Sequence, residues 1–245
     1  MSPFPSGWAL VTGASSGIGR AVAVALARRG MRLLLTGRDP QRLEAAASEV
    51  RALGSETRYR TADLGLDDDL RALARWGATD GVQLDVLVHS AGSIHLGDIE
   101  TVGWDDLDAD YRVNVRAPFL LTKLLLPLLR EAGGQLVFVN SLSGLTAQPD
   151  TTVYAASKHA LRSLANSLRD RLGPEGIRVL SVFPGRTTTP MLAKVLRFGG
   201  KPERPEEPLD PRDVAELIAA ALALPRTAEV TELVVRPPRS PAPAG

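Results

Sequence analysis

Tyr154 and Lys158 stand four residues apart in VYAASKHA, residues 153–160. At helical spacing, positions i and i+4 project from one face, so a phenol and an ammonium placed this way can act on one bound group. A free tyrosine ionises only near pH ~10 and is a poor base in neutral solution, but an ammonium fixed beside it favours the phenolate. Bringing that pKa to about 7 takes roughly 4 kcal/mol, at about 1.4 kcal/mol per unit. The pair is thus a candidate proton-transfer device. The competing reading is an exposed tyrosine with a lysine stem lying over it. Ala155, Ala156 and Ser157 between them are small, as expected where a ligand or a second helix comes close.

Such a pair needs elements that hold it still. The apolar runs WALVTG, RLLLTG, TRYRTAD, LDVLVHSAG, GQLVFVNS, IRVLSVFPG and TELVVRP alternate with helix-length stretches. Seven runs of this kind predict an α/β fold, a doubly wound and mainly parallel seven-stranded sheet with helices on both faces. One helix starts near Ile18, DPQRLEAAASEVRALG ends at Gly54, and DPRDVAELIAAALAL has Pro211 in its first turn. Gly30, Gly54 and Gly173 are placed to end helices. Residues 191–210, rich in Pro, Gly and charge, follow a strand's C-terminal end, where such sheets bind ligands. They predict a mobile lid with a short helix. The expected organisation is one domain over 1–236, with the lid at about 189–210, and a Pro-rich flexible tail at 237–245.

The first strand runs into VTGASSGIGR, where Gly13, Gly17 and Gly19 have the spacing GxxxGxG. Glycine permits a tight turn and close backbone approach to a pyrophosphate, and the free N–H groups of a helix start favour an anion. Directly after a first strand, this reads as a dinucleotide site more readily than as a ligand-free turn. An acid at the end of the second strand commonly holds the ribose 2′-hydroxyl of NAD. Here LLLTGRD places Thr36 or Gly37 at that position and Arg38 next to it. A guanidinium suits a 2′-phosphate, which favours NADP(H) over NAD(H). Two other readings stand: Arg38 as a solvated residue at a helix entry, and Asp39 facing the ribose.

Composition narrows the function classes. Lys+Arg number 29 and Asp+Glu 28, interleaved along 245 residues for a formal charge of +1, so neither a nucleic-acid grip nor an acidic-membrane anchor is expected. No cysteine is present, and His89, His95 and His159 lack ligand spacing, so no disulfide, thiolate site or structural metal is expected. The start MSPFPSGWALVTG lacks a secretory pattern, and LLLPLL and LIAAALAL are too short to span a bilayer. A soluble, cytoplasmic protein is the expectation.

TGASSGIG at 12–19, SAG at 90–92, Asn114 in YRVNVRAP, NSLSG at 140–144, VYAASKHA and PGRTTTPM at 184–191 occur in one order and spacing. In this the chain resembles the short-chain dehydrogenase/reductase family over about residues 8–235, nearly its whole length. The resemblance implies a Rossmann fold and a reversible hydride transfer between a nicotinamide and an alcohol or carbonyl. It gives Tyr154 the role of general acid/base, Lys158 that of lowering its pKa and holding the nicotinamide ribose, and Ser141 that of positioning the substrate oxygen. Asn114 would support a water linking Lys158 to solvent. The family serine lies thirteen residues before the tyrosine, which selects Ser141 over Ser143. Ser143 is then a pocket neighbour or a structural hydroxyl. Cofactor contacts implied in the same way are Gly13, Ser15, Ser16, Gly17, Ile18 and Gly19 in the turn, Arg38, and Asp63 and Leu64 at the adenine. Ser90, Ala91 and Gly92 would lie beside the ribose, Pro184, Gly185 and Thr187 along the nicotinamide, and Thr189 near the carboxamide or pyrophosphate. Without the family, Asp63 reads equally as a helix cap or turn acid.

Departures from the family pattern are informative. His89 and Ser90 replace the two asparagines that often precede the Ala-Gly pair, and His89, ending a buried strand, reads as a structural histidine. AEVTELVVRPPRSPAPAG lacks the ending of the ketoacyl carrier-protein reductases, which points away from fatty-acid synthesis. Leu142, Ser143, Gln148, His95, Leu192 and Val195 are candidate substrate-wall residues in loops around the nicotinamide. A mostly apolar wall suits a small or medium hydrophobic carbonyl. The resemblance also implies a homodimer or homotetramer packed through the helices that contain Asn114 and Tyr154, with the last strand as a further candidate contact. The alternatives are a dinucleotide-binding sensor or scaffold without turnover, and an epimerase or dehydratase of the same fold.

Overall fold

The computed structural model describes residues 7–79, 81–199 and 207–238. Seven strands form one sheet: β1 Trp8–Thr12, β2 Arg32–Gly37, β3 Thr57–Thr61, β4 Leu84–His89, β5 Gln135–Val139, β6 Arg178–Pro184 and β7 Glu232–Val235. Their order is β3-β2-β1-β4-β5-β6-β7, and every pairing is parallel. The expectation of a mainly parallel sheet is thus met by a wholly parallel one. The order reverses between β1 and β4, so a crevice opens at the C-terminal ends of these strands, where a sheet of this kind binds its ligand.

Residues alternate along each strand between two cores, as a pleated sheet covered on both faces requires. On one face Val11, Leu33, Leu35, Val88, Val137 and Val182 pack with helices α1 Gly17–Ala27, α2 Pro40–Arg51 and α8 Pro211–Leu222. On the other, Leu10, Leu34, Leu87, Leu136, Phe138 and Val179 pack with α3 Asp67–Gly77, α5 Ala117–Ala132 and α6 Thr152–Leu172. Between β4 and α5 come α4, Trp104–Tyr111, and a π-helical turn, Arg112–Arg116. After β6 comes α7, Pro190–Gly199, the short helix expected in the lid. Residues 200–206 of that lid and 239–245 of the tail lie outside the described residues. The chain returns to pair Thr187 with Leu209, so the two ends of the segment are tied together.

Gly30 and Gly54 have φ of +86° and +85°, the left-handed conformation expected after α1 and α2. Gly173 differs. It stays right-handed at −53° and the chain continues through a 3₁₀ turn, Gly173–Glu175, so the left-handed stop falls on Gly176 at +81°. Pro174 in that turn sets its own φ and accommodates the extra turn.

His89 is buried, stacked on Phe138 at 4.9 Å between centroids, with Nε2 2.8 Å from the Thr122 hydroxyl. Burial lowers its pKa to about 3. The unfolded chain takes up this proton near pH 6.5 and the folded chain not until about 3, so acid favours unfolding across that window by at most about 1.4 kcal/mol per pH unit. Urea denaturation should therefore give a His89→Gln variant whose stability falls less between pH 6.5 and pH 5 than that of the unsubstituted protein, by about 2 kcal/mol.

Candidate active site

Tyr154 and Lys158 project together from the first turns of α6, and both are buried, at 6% and 3% exposure. The exposed-tyrosine reading is therefore excluded. Lys158 Nζ lies 5.9 Å from the centroid of the Tyr154 ring and donates to the Val139 carbonyl at the end of β5, at 3.2 Å. Burial pushes the Tyr154 hydroxyl up to about 12, with the neighbouring Ser141 hydroxyl pulling it down and the Asp110 carboxylate adding to the rise. Burial pulls Lys158 down to about 8, against the attraction of Asp110.

Ser141 begins the loop after β5, and its Oγ accepts from the Ser143 main-chain N–H at 3.1 Å. Ser143 thereby appears as a structural neighbour through its backbone. Asn140, which the motif NSLSG contains but the sequence reading left without a role, joins this loop to α6. Its Nδ2 donates to the Lys158 carbonyl at 3.1 Å and its Oδ1 accepts from Ser141 N at 2.9 Å. Gly144 is glycine for the same reason, since a Cβ there would sit 2.5 Å from Asn140 Oδ1.

Asn114 lies in the π-helical turn, fully buried. Pro118 has no N–H to give the Asn114 carbonyl and its ring crowds that group, which accounts for the loosened turn over Arg112–Arg116. The Asn114 side chain donates to the Ser93 carbonyl at 3.0 Å and the Ser157 hydroxyl at 2.9 Å, and accepts from Ser93 N at 2.9 Å. It joins the loop after β4 to the helix that carries the Tyr154–Lys158 pair.

The glycine turn lies beside this cluster. Gly13 and Gly17 have φ of +67° and +54°. A Cβ on Gly19 would meet the Gly13 carbonyl at 2.4 Å, one on Gly13 the Ala91 backbone at 2.8 Å, and one on Gly17 the Thr189 side chain at 2.9 Å. Ser16 is the extended residue before α1, and Ser15 and Ile18 are half-buried around it. Thr12 accepts from the main-chain N–H of both Ser90 and Ala91, at 3.0 and 3.1 Å, fixing the loop after β4 against the turn. The result is a bare backbone cradle at the start of a helix, which fits a pyrophosphate.

At the end of β2, a Cβ on Gly37 would lie 2.9 Å from Ser15 Oγ, and Arg38 is exposed. Asp39 caps α2, its carboxylate accepting from Arg42 N at 3.0 Å, so it is turned to its own helix. Asp63 accepts from Gly65 N at 2.9 Å as a turn acid, with Leu64 buried beside it. Arg116 pairs with Asp67 and ties the start of α3, just after this loop, to the π-helical turn. On the far side, Thr187 is buried and donates to the Gly185 carbonyl at 2.9 Å, while Leu142 Cδ1 lies 3.3 Å from where a Gly185 Cβ would be. Pro184 ends β6.

Among the candidate wall residues, Leu192 is buried and Val195 half-buried on α7, while Gln148 is exposed in the turn before α6. His95 is tied to Asp110, Nδ1 to Oδ1 at 2.8 Å. Met191, which the sequence reading passed over, lays its Sδ 4.0 Å from the Tyr154 hydroxyl, and its Cε 3.6 Å from where a Gly92 Cβ would be. Among the described residues no cluster of His, Asp or Glu could hold a metal ion, and no helix is long and apolar enough to cross a membrane.

The model of the family described as short chain dehydrogenase matches residues 7–198. An uncharacterised oxidoreductase of Staphylococcus saprophyticus is 33% identical over 237 residues, 94% of this chain and 96% of that one. Among solved structures, an alcohol dehydrogenase from the archaeon Thermococcus sibiricus complexed with 5-hydroxy-NADP superposes with a TM-score of 0.86 at 29% identity, covering 96% of this chain and 99% of that one. The actinorhodin polyketide ketoreductase with NADPH gives 0.87 at 28% identity, covering 95% and 96%. The sheet order, the glycine cradle and the Tyr154–Lys158 cluster therefore agree with these comparisons, and the chain belongs to the short-chain dehydrogenase family as an NAD(P)-dependent oxidoreductase.

Proposed function

We propose that the protein interconverts an alcohol and its carbonyl compound with NADP(H), Tyr154 moving the proton. The observation that carries this reading is the burial of Tyr154, Lys158 and Asn114 in one hydrogen-bonded cluster, with Ser141 at its edge, beside the glycine cradle. The bound nicotinamide supplies or accepts the hydride. Ser141 positions the substrate oxygen, and Tyr154 gives that oxygen its proton in reduction and takes it back in oxidation. Lys158 holds the ribose and supports the phenolate, and Asn114 keeps α6 in register with the loop of Ser90, Ala91 and Gly92. Burial holds the Tyr154 hydroxyl neutral up to about pH 12 in the protein alone, so at neutral pH the phenol carries the proton that reduction uses. Oxidation should quicken as pH rises. Leu142, Leu192, Val195 and Met191 give the substrate an apolar wall under α7, suited to a hydrophobic carbonyl. The exposed Leu107, Tyr111, Phe119 and Leu124 of α4 and α5 support a homodimer or homotetramer formed through these helices.

The preference for NADP(H) rests on the end of β2, where Thr36 and Gly37 stand in place of an acid, Asp39 is engaged in its cap and Arg38 is exposed. Titration with NADPH and NADH, followed by a screen of carbonyls with the better cofactor, tests the reading. Arg38→Gln should weaken NADPH about 10-fold to 100-fold, the scale of a charge-assisted hydrogen bond, and leave NADH unchanged. Equal loss for both cofactors would reject a role at the 2′-phosphate.

A further inference from the structure

Asp110 is fully buried, yet proton transfer by Tyr154 and Lys158 makes no use of it. It lies one helical turn before Asn114, and the two side chains meet the same loop residue. Ser93 holds Asn114 through its backbone and donates its hydroxyl to Asp110 Oδ1 at 2.8 Å. His95 gives Asp110 two more donors, its main-chain N–H at 3.2 Å and its ring Nδ1 at 2.8 Å. The ionisable groups around Asp110 are His95 from this loop, Asp106 one turn earlier on α4, whose Oδ1 lies 3.7 Å from His95 Nε2, and, from α6, Lys158, whose Nζ lies 3.8 Å from where a Cβ on Gly92, the neighbour of Ser93, would be, with Tyr154 one turn before it. The Asp110 side chain is wholly enclosed, whereas that of His95 is 36% exposed.

We propose that Asp110 is a positioning residue, the buried counter-charge that keeps Lys158 cationic, and that His95 is the solvent-facing group through which its field is cancelled or restored. The proposal rests on the reading of Tyr154 and Lys158 as the proton-transfer pair. An anion in this place favours the ammonium of Lys158 and opposes the phenolate of Tyr154, and Asp110 acts on both in these senses. A neutral imidazole donating through Nδ1–H leaves the carboxylate its full charge. An imidazolium at 2.8 Å offsets much of it.

The test is a ¹³C NMR titration of lysine Cε in the cofactor-free protein, with the Lys158 signal assigned by its loss in Lys158→Met. The unsubstituted midpoint should lie at about 8. Asp110→Asn keeps the shape and the acceptor while removing the charge, and should lower the midpoint by about one unit or more. His95→Arg sets a permanent cation against Asp110 from an exposed position and should lower it in the same sense, which keeps the test decisive if Asp110→Asn does not fold. His95→Gln, a neutral donor, should leave it in place. The pH–rate profile of Asp110→Asn should move as a whole to lower pH, where a merely structural defect would lower it without moving it. The proposal is overturned if neither Asp110→Asn nor His95→Arg lowers the Lys158 midpoint, or if His95→Gln lowers it as far as His95→Arg. Turnover that survives Tyr154→Phe would instead reject the proton-transfer reading, and does not alter the titration.

Discussion

Tyr154→Phe should reduce turnover roughly 10³-fold, within the range that a positioned general acid or base supplies, and leave NADPH binding within a few-fold. The phenol oxygen is the only atom removed, and the ring keeps its buried place on α6. The sequence alone asks for about three units of pKa change to make this tyrosine a base at pH 7. The structure makes the demand larger, because burial moves the hydroxyl to about 12. Lowering it to about 7 then takes roughly 7 kcal/mol, more than one ammonium 5.9 Å from the ring centroid supplies through a protein interior of moderate dielectric. Two consequences follow for the measurement. Reduction, which needs the neutral phenol, should be the faster direction at pH 7, and oxidation should gain with rising pH until Lys158 loses its proton at about 8. Steady-state assays in both directions, with cofactor affinity followed by nucleotide fluorescence, separate the chemical step from binding. A phenylalanine variant with more than a tenth of the original turnover would remove Tyr154 from the mechanism.

Which parts of this site a sequence reveals depends on the range of the interaction. The strands are legible because period-two burial on both faces writes runs such as RLLLTG and GQLVFVNS directly into the chain. Tyr154 and Lys158 are legible because four residues is a helical repeat, and Gly13, Gly17 and Gly19 because each serves a local backbone need. Asp39 and Asp63 were ambiguous for a good reason. Whether a carboxylate after a strand faces a cofactor or caps its own turn is decided by a bond two or three residues away that spacing does not rank, and each of these accepts such a bond through one oxygen. Gly173 does end α6, whose last residue is Leu172, and only the left-handed residue falls later, on Gly176, because Pro174 carries the chain through a 3₁₀ turn first.

Asp110 and Met191 were missed because their importance is tertiary. A carboxylate in the run WDDLDADY looks like one more solvated acid on an exposed helix, and only the loop of Ser93 and His95, folding over it, buries it. One signal was present: Asp110 stands at i−4 from Asn114, the same spacing that drew attention to Tyr154 and Lys158. Met191 sits beside Pro190 at the entry of α7, and its contact with Tyr154 arises because β6 and α6 bring residues 37 apart in sequence together.

Lys158→Met should make the protein more stable and much less active. In the folded chain the ammonium is almost completely buried, with the Val139 carbonyl as its hydrogen-bond acceptor, and its pKa falls from 10.5 to about 8. The attraction of Asp110 is already included in that net lowering, so below pH 8 the cation costs the fold about 3 kcal/mol. The unfolded chain keeps this proton up to about pH 10.5, and the folded chain releases it at about 8. Between these values the unfolded state binds more protons, and stability rises with pH. Tyr154 acts in the opposite sense above pH 10, where the unfolded chain ionises and the folded chain does not until about 12. The unsubstituted protein should therefore be most stable near pH 10 as far as these two groups decide it, and Lys158→Met should lose the rise between pH 8 and pH 10. Methionine fills the lysine stem's volume but leaves the Val139 carbonyl without its donor, so the expected gain at pH 7 is about 2 kcal/mol. Turnover should fall at least about 10²-fold, because nothing else on α6 offsets the burial of the phenolate. Urea unfolding at pH 7 and pH 9.5, beside turnover at pH 7, checks both halves. A variant less stable at pH 7 with nearly full activity would mean that Lys158 is a structural residue, and that the strain attributed to its burial is absent.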